Sequence, residues 1–265
     1  MVKIIFSDID GTLITNQLIV TQRTRDALIR AVEKGIYFVP VSARMPEAIK
    51  PIIKDFLPKT PIISYNGAFI QDENGKEIAS SPMPVQDGLE ICEYLEDRHP
   101  EIAWNVYSGE KWLSQDRSNK WIAREEEVVG IPSQESQLGD LKQLPEIHKL
   151  LLMGEPDDIL AVEEVLKDCY PDLSIAKSYP YYLEIMASGI QKGKAVEQIS
   201  AHYGVPITET IAFGDNFNDL DMLEVVGQGY VMANGPEAVR EAIGRITADN
   251  NNDGIALVVE GLLEV

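Results

Sequence analysis

At 265 residues, 45% of them hydrophobic, the chain can bury one large core or two smaller ones, and its composition is that of an ordinary globular protein. Its 43 Asp and Glu against 23 Lys and Arg give a formal charge of -20, which with no basic stretch in sequence argues against nucleic acid as a partner. Two cysteines, Cys92 and Cys169, make neither a disulfide framework nor a C-x-x-C pair; both read as buried packing residues, and a reduced, cytoplasmic setting is expected.

Along the chain, Ile4-Ile5-Phe6 reads as a buried strand that runs straight into Asp8. This apolar run is too short for a signal peptide or a membrane span, so no membrane partner is expected; nothing in the sequence specifies an oligomer. Thr21 caps a helix whose Ala27, Leu28, Ala31 and Val32 recur at helical spacing and which ends at Gly35. Residues 36–41 form a second strand stopped at Ser42, and Pro46 opens the next helix, where its missing N–H does no harm. A third strand at 61–65 completes an alternation that predicts a parallel, doubly wound α/β sheet. The pattern then changes. Phe69-Ile70 and Ile78-Ala79 flank Asp72-Glu73-Asn74-Gly75, a hairpin signal centred on Asn-Gly. A helix at 85–99, strands at 103–107 and 111–114, and a helix at 120–129 follow. Strand 148–153, helix 157–169 and strands 173–176 and 181–186 complete an α+β segment of antiparallel character. Alternation resumes with helix 192–203, strand 210–213, helix 220–225, strand 229–232, helix 236–243 and a last helix after Asp253; the polar run 249–253 reads as a loop.

The expected organisation is therefore a core in two pieces, residues 1–82 and 188–265, with an α+β domain, 83–187, inserted between them. That middle segment holds 9 Lys and Arg against 22 Asp and Glu, and the remainder 14 against 21, so the two bodies carry different surfaces. Such acidity favours a small monophosphate over a polyanionic substrate. Trp104, Tyr107, Trp112 and Trp121 fall in the insertion, as ordinary core or as a stacking platform for a sugar.

Chemistry-bearing residues gather where apolar strands should end: Asp8-Ile9-Asp10-Gly11-Thr12, Ser42, and Gly214-Asp215-Asn216-Phe217-Asn218-Asp219, with Lys192 opening a helix. In extended chain, Asp8 and Asp10 at i and i+2 share one side. Packed carboxylates lose water and disfavour each other's ionisation, a cost that a divalent cation such as Mg²⁺ offsets through oxygen ligands. Convergence of Asp8, Ser42 and Asp215 requires the first strand to lie between the second and the 210–213 strand.

D-x-D-G-T near the N-terminus and G-D-x-x-N-D near the C-terminus, with Asn66-Gly67-Ala68 and Lys192-Gly193 between them, resemble the haloacid dehalogenase superfamily of phosphohydrolases, most closely its Cof-type sugar-phosphatase branch with a C2-type cap. The resemblance spans nearly the whole chain and implies a Rossmann-like core, a cap that closes over the site and chooses the substrate, and hydrolysis of a small phosphorylated metabolite. Asp8, held by the strand end, is the expected nucleophile, and Asp10 the acid and base of two in-line displacements through an aspartyl phosphate. The resemblance implies Mg²⁺ held by Asp8, Asp215 and the Asp10 backbone carbonyl, with Asp219 one layer behind. Lys192, placed against its helix dipole and beside a helix-weakening glycine, is expected on the phosphate oxygens and beside the aspartates; Lys194 reads as solvent-facing. Thr12, Ser42 and the Ala43 amide are expected as further phosphate contacts, and Asn218 as a phosphate-contacting or ligand-orienting amide. Arg44 and Asn66 read either as pocket residues facing the leaving group or, for the arginine, as a surface ion pair. Ser42-Ala43 stands where the family often has Thr-Gly, and keeps both donors. Two other readings use the same acids: a phosphomutase that returns the phosphoryl group to a sugar, and a non-enzymatic phosphoryl-accepting protein.

Overall fold

The computed structural model describes residues 1–264. Strand β1 (Ile4–Asp8) is followed by α1 (Gln22–Glu33), β2 (Tyr37–Val41), α2 (Pro46–Ile53), β3 (Ile62–Ser64), β4 (Phe69–Gln71) and β5 (Glu77–Ser80). Then come α3 (Val85–Arg98), β6 (Ala103–Ser108), β7 (Lys111–Ser114), α4 (Lys120–Val129), β8 (Gln134–Glu135), α5 (Leu138–Leu141), β9 (Lys149–Met153), α6 (Pro156–Cys169), β10 (Leu173–Tyr179) and β11 (Tyr182–Ala187). The chain continues through α7 (Lys192–His202), β12 (Thr210–Gly214), α8 (Leu220–Val225), β13 (Gln228–Met232), α9 (Glu237–Ile243), β14 (Ile246–Thr247) and α10 (Gly254–Leu263). These elements fall into two compact units, one built from residues 1–80 and the chain from Gln191 onward, the other from Ser81–Ile190.

The first unit is a doubly wound α/β sheet of order β14-β13-β12-β1-β2-β3-β4-β5, parallel from β14 to β3, with the antiparallel β4 and β5 at one edge. Strand β1 pairs with β2 and β12, Ile4 lying opposite both Tyr37 and Thr210. Its alternating side chains feed two cores. Ile5 joins Phe38, Ile211 and Phe213 against α1 and α10, while Ile4 and Phe6 join Val39, Ala212, Val196 and Met222 against α7 and α8. Covered on both faces, β1 is buried at all five positions, which is why it reads as a continuous apolar run rather than an alternation. Thr21 caps α1 by accepting the Thr24 N–H, and Pro46 is the first residue of α2.

The second unit is an α+β body whose sheet runs β10-β11-β9-β6-β7-β8, antiparallel except between β7 and β8. One face packs Trp104, Val106, Leu150, Leu152, Leu183 and Ile185 with Cys92, Leu95, Ile159 and Leu166 from α3 and α6. Trp104 is thus core, its Nε1 donating to Glu96; Tyr107 stacks on Trp112, and Trp121 stacks apart from them on Tyr181. Tyr107 and Trp112 are buried too, so three of the four aromatics are ordinary core, while Trp121 is only partly buried. Cys92 is buried, with its thiol pKa pushed up by burial, but Cys169 ends α6 and is exposed, so only one of the two cysteines is a packing residue. Among the described residues no helix is long and apolar enough to cross a membrane.

Candidate active site

The strand order places the ends of β2, β1 and β12 side by side, where ligands bind in open α/β sheets. Asp8 is the last residue of β1 and is set below the surface by the strand it terminates. Lys192, the first residue of α7, donates through Nζ to Asp8 Oδ1 and to Asp219 Oδ1, each at 2.6 Å, and all three side chains are buried. The second oxygen of Asp219 accepts the N–H groups of Asp215 at 2.9 Å and Asn216 at 3.0 Å, so both oxygens of this carboxylate are engaged in holding the lysine and the loop after β12. Asp215 accepts the Thr12 hydroxyl at 3.0 Å. One carboxylate oxygen from each of Asp8, Asp215 and Asp219 lies within 4.8 Å of the other two.

Two glycines make this approach possible. Gly11 adopts φ +79°, and a Cβ there would stand 2.5 Å from Asp215 Oδ2. Gly193 lets the start of α7 meet α8, where a Cβ would come within 2.8 Å of the Asp221 carbonyl oxygen. The Gly193 N–H donates to Asp221 Oδ2 at 2.7 Å, so an anion borrowed from α8 sits at the end of α7 where Lys192 opposes the dipole.

Three carboxylates face one ammonium here, and the titration reflects that deficit. Burial opposes the charge of Lys192, but the attraction of Asp8 and Asp219 outweighs it and raises its pKa, so the ammonium persists. Burial also raises the Asp8 carboxyl well above the usual range, with Asp219 and Asp215 adding to it and Lys192 opposing it. Asp215 is pushed up to about 6, chiefly by burial and then by Asp219. A pocket that favours extra protons on oxygen ligands is one that a hard cation fits, and the donors, all carboxylate oxygens, suit Mg²⁺ or Ca²⁺.

Asp10 departs from the expectation. Strand β1 ends at Asp8 and the chain turns at once, the Leu13 N–H donating to the carbonyls of Asp8 and Ile9, so the i, i+2 rule lapses. The Asp10 carboxylate is exposed, lies outside the acidic triple, and is gripped by Arg44 through Nε at 2.8 Å and Nη2 at 2.6 Å. Arg44 is therefore an ion pair within the site region, with the other carboxylate of the motif as its partner. Thr12, expected on phosphate, spends its hydroxyl proton on Asp215 instead.

The loop after β2 meets the loop after β3. Ser42 Oγ accepts the Arg44 N–H at 3.2 Å, its carbonyl accepts the Asn66 N–H, and the Arg44 carbonyl accepts that of Tyr65. Ala43 lies between Ser42 and Arg44 in this loop. Asn218 reaches Asn66 with an Nδ2 to Oδ1 separation of 3.4 Å. Tyr65, Asn66 and Gly67 all take positive φ, at 51°, 54° and 109°. Left-handed backbone at a buried tyrosine is costly and clusters at functional sites; the only outward sign in the sequence is Asn-Gly. Lys194 is exposed, as expected.

Sequence reasoning passed over Asp221, Asn234 and Asn250. Asn234 donates to the Gly11 carbonyl at 2.8 Å, and Asn250 to that of Ile14 at 2.9 Å. Asn234-Gly235 just past a strand and the asparagine-rich run before α10 were the available signals.

An α/β fold whose central parallel strands end in a lysine-bridged set of carboxylates is that of an enzyme with an oxygen-donor site at the strand ends. The chain belongs to the haloacid dehalogenase-like hydrolases, whose family model matches residues 5–259. It is 39% identical over 260 residues to a Haemophilus influenzae protein named "Putative phosphatase", with 98% of each chain covered. A Bacillus subtilis relative, 5-amino-6-(5-phospho-D-ribitylamino)uracil phosphatase YitU, is 29% identical, with 94% of this chain and 93% of the relative covered. Among solved structures, a haloacid dehalogenase-like hydrolase from Bacteroides thetaiotaomicron matches with a TM-score of 0.91 at 27% identity, over 99% of this chain and 100% of that one. Family and relatives together make this protein an enzyme of the phosphatase class.

Proposed function

We propose that the protein is a Mg²⁺-dependent phosphomonoester hydrolase that works through an aspartyl phosphate on Asp8, with a small phosphorylated metabolite, a sugar phosphate before others, as substrate. The observation that carries this reading is the buried Asp8 at the end of β1, oriented by an ammonium 2.6 Å from one of its oxygens. In the first displacement an Asp8 oxygen attacks phosphorus, the ester P–O bond breaks in line, and Asp10 gives a proton to the departing alcohol oxygen. In the second, Asp10 takes a proton from water, whose oxygen attacks phosphorus; the bond to Asp8 breaks and inorganic phosphate leaves. Lys192 keeps Asp8 oriented and brings positive charge to the transferring oxygens. Asp8, Asp215 and the Asp10 backbone carbonyl would hold Mg²⁺, with Asp219 anchoring the Asp215 loop from behind. Bound there, the ion neutralises phosphate charge that the carboxylates would otherwise repel. Ser42, the Ala43 amide, Asn66 and Asn218 are assigned to the substrate phosphate and its surroundings, and Arg44 to the leaving group once Asp10 releases it. Substrate choice is assigned to the inserted domain, residues 83–187.

The test is phosphate release from an aryl phosphate, then from a panel of sugar phosphates, with Mg²⁺ and with excess chelator, on wild type beside Asp8→Asn. Metal-dependent release that the mutant lacks is the expected result. Release that survives in Asp8→Asn would overturn the nucleophile assignment. Isomer formation in place of free phosphate would make the protein a mutase, and a stable acyl phosphate without turnover a phosphoryl acceptor.

A further inference from the structure

One short turn touches both loops that carry the acids. After β13, Asn234 Nδ2 donates to the carbonyl of Gly11, one residue past Asp10, at 2.8 Å. Its neighbour Gly235 lies so close to the loop after β12 that a Cβ on it would stand 2.5 Å from the Asp215 carbonyl oxygen. The same Asn234 side chain accepts, through Oδ1, the N–H of Asn250 at 3.2 Å. Asn250 is only 5% exposed, and its own Nδ2 donates to the Ile14 carbonyl at 2.9 Å and to Asn16 Oδ1 at 3.2 Å.

The turn at residues 10–14 needs such support. Its amides point inward, with the N–H groups of Thr12, Leu13 and Ile14 all bonded to the Ile9 carbonyl. The carbonyls of Gly11 and Ile14 are then held from outside by two asparagines. Gly11, at φ +79°, is the most permissive residue of the turn and contributes no stiffness of its own.

We propose that Asn234, braced by Asn250, is a positioning residue for the hydrolysis. It fixes the Asp10–Thr12 stretch against the Asp215 loop, so that the proton-transferring carboxylate and the metal-side carboxylate keep one separation through both displacements. This inference rests on the hydrolase reading above. An asparagine suits the task because one side chain donates to Gly11 and accepts from Asn250 at once; an aspartate would keep the second bond and lose the first. Because Asn234 is exposed, removing its side chain should cost rate and little stability.

The experiment compares wild type, Asn234→Ala, Asn234→Asp and a control, Asn252→Ala, whose side chain bonds Asp249 in the same polar run. Each is measured for kcat and KM on an aryl phosphate with Mg²⁺, for thermal unfolding, and for peptide-level hydrogen exchange over residues 8–16. Both Asn234 variants should lose kcat by more than about tenfold with KM held within about twofold. Their melting temperatures should stay within about 2 °C of wild type, while exchange over 8–16 quickens by more than about fivefold. Asn252→Ala should match wild type throughout. Wild-type kcat in Asn234→Asp would overturn the proposal, because the bond to Gly11 would then be dispensable; so would unchanged exchange in Asn234→Ala, or a loss of rate that merely tracks a loss of melting temperature. If wild type itself releases no phosphate, the hydrolase reading fails, and the exchange measurement still decides whether Asn234 holds the loop.

Discussion

Two ion pairs in the same site share a shortest separation and have opposite energetics. Lys192 meets Asp8 at 2.6 Å with side-chain exposures of 0% and 9%, and Arg44 meets Asp10 at 2.6 Å with exposures of 25% and 52%. In the first, each partner has lost its water and depends on the other, so breaking the pair leaves an uncompensated buried charge. In the second, solvent stands ready to replace either partner, and the pair contributes little to stability. The buried pair is therefore a fixed part of the machinery. The exposed pair is one that a substrate can exchange.

The largest effect belongs to the buried side. Asp8→Asn should lower phosphate release by more than roughly 10³-fold, as expected when a nucleophile is lost, because the amide oxygen cannot form the acyl phosphate. The fold should persist, since Lys192 keeps Asp219 as a charged partner. Steady-state release beside a circular-dichroism melt checks both halves; a mutant within tenfold of wild type ends the nucleophile assignment.

Lys192→Met should come next, costing about 3–5 kcal/mol in urea unfolding, because three carboxylates are left to face one another without a cation. Adding Asp8→Asn to it should restore part of that loss by removing one of the repelling charges. If the single mutant unfolds at the same urea concentration as wild type, the lysine does not hold the pocket together.

Asp215 gives the comparison a pH axis. Its pKa in the folded, metal-free protein is about 6 against an ordinary carboxylate value of 3.8, so folding favours its protonated form. The stabilisation is complete below about 3.8 and is lost as pH rises through 6. Metal binding needs the ionised form, so Mg²⁺ should raise the melting temperature more at pH 7.5 than at pH 5. An equal Mg²⁺ shift at both values would remove Asp215 from the metal's ligands.

What could be read from the sequence follows the same division between local and distant causes. The fully buried β1 announced itself by its apolar run, and α1 by the helical spacing of Ala27, Leu28 and Ala31, because each pattern is complete within a few residues. Strands β8 and β14, two residues each, and the single turn of α5 are too short to show any period. Asp8, Asp215 and Lys192 were legible because a charged residue at the end of a buried strand, or against a helix dipole, breaks a local rule. Asn250 breaks none, and its partner carbonyl on Ile14 lies 236 residues away in the chain. Asp10 misled for a local reason: the alternation that would have set it beside Asp8 holds only while the strand continues, and β1 stops at Asp8.

The smallest structural effect should come from Arg44, and it sharpens the comparison most. Arg44→Ala removes a bidentate partner from Asp10, yet with both groups partly in water its cost in urea unfolding should stay below about 1 kcal/mol. The kinetic cost should be separate and larger. If the guanidinium leaves Asp10 for the substrate, its loss removes a binding contact made before and during the reaction, and KM should rise by about tenfold with a smaller change in kcat. Arg44→Lys keeps the charge and loses the fork, so it should recover stability fully and KM only in part. The same measurement carries the opposite possibility: a large fall in kcat at unchanged KM would mean that Arg44 serves to hold Asp10 throughout the reaction, and the exposed pair would then be as fixed in function as the buried one.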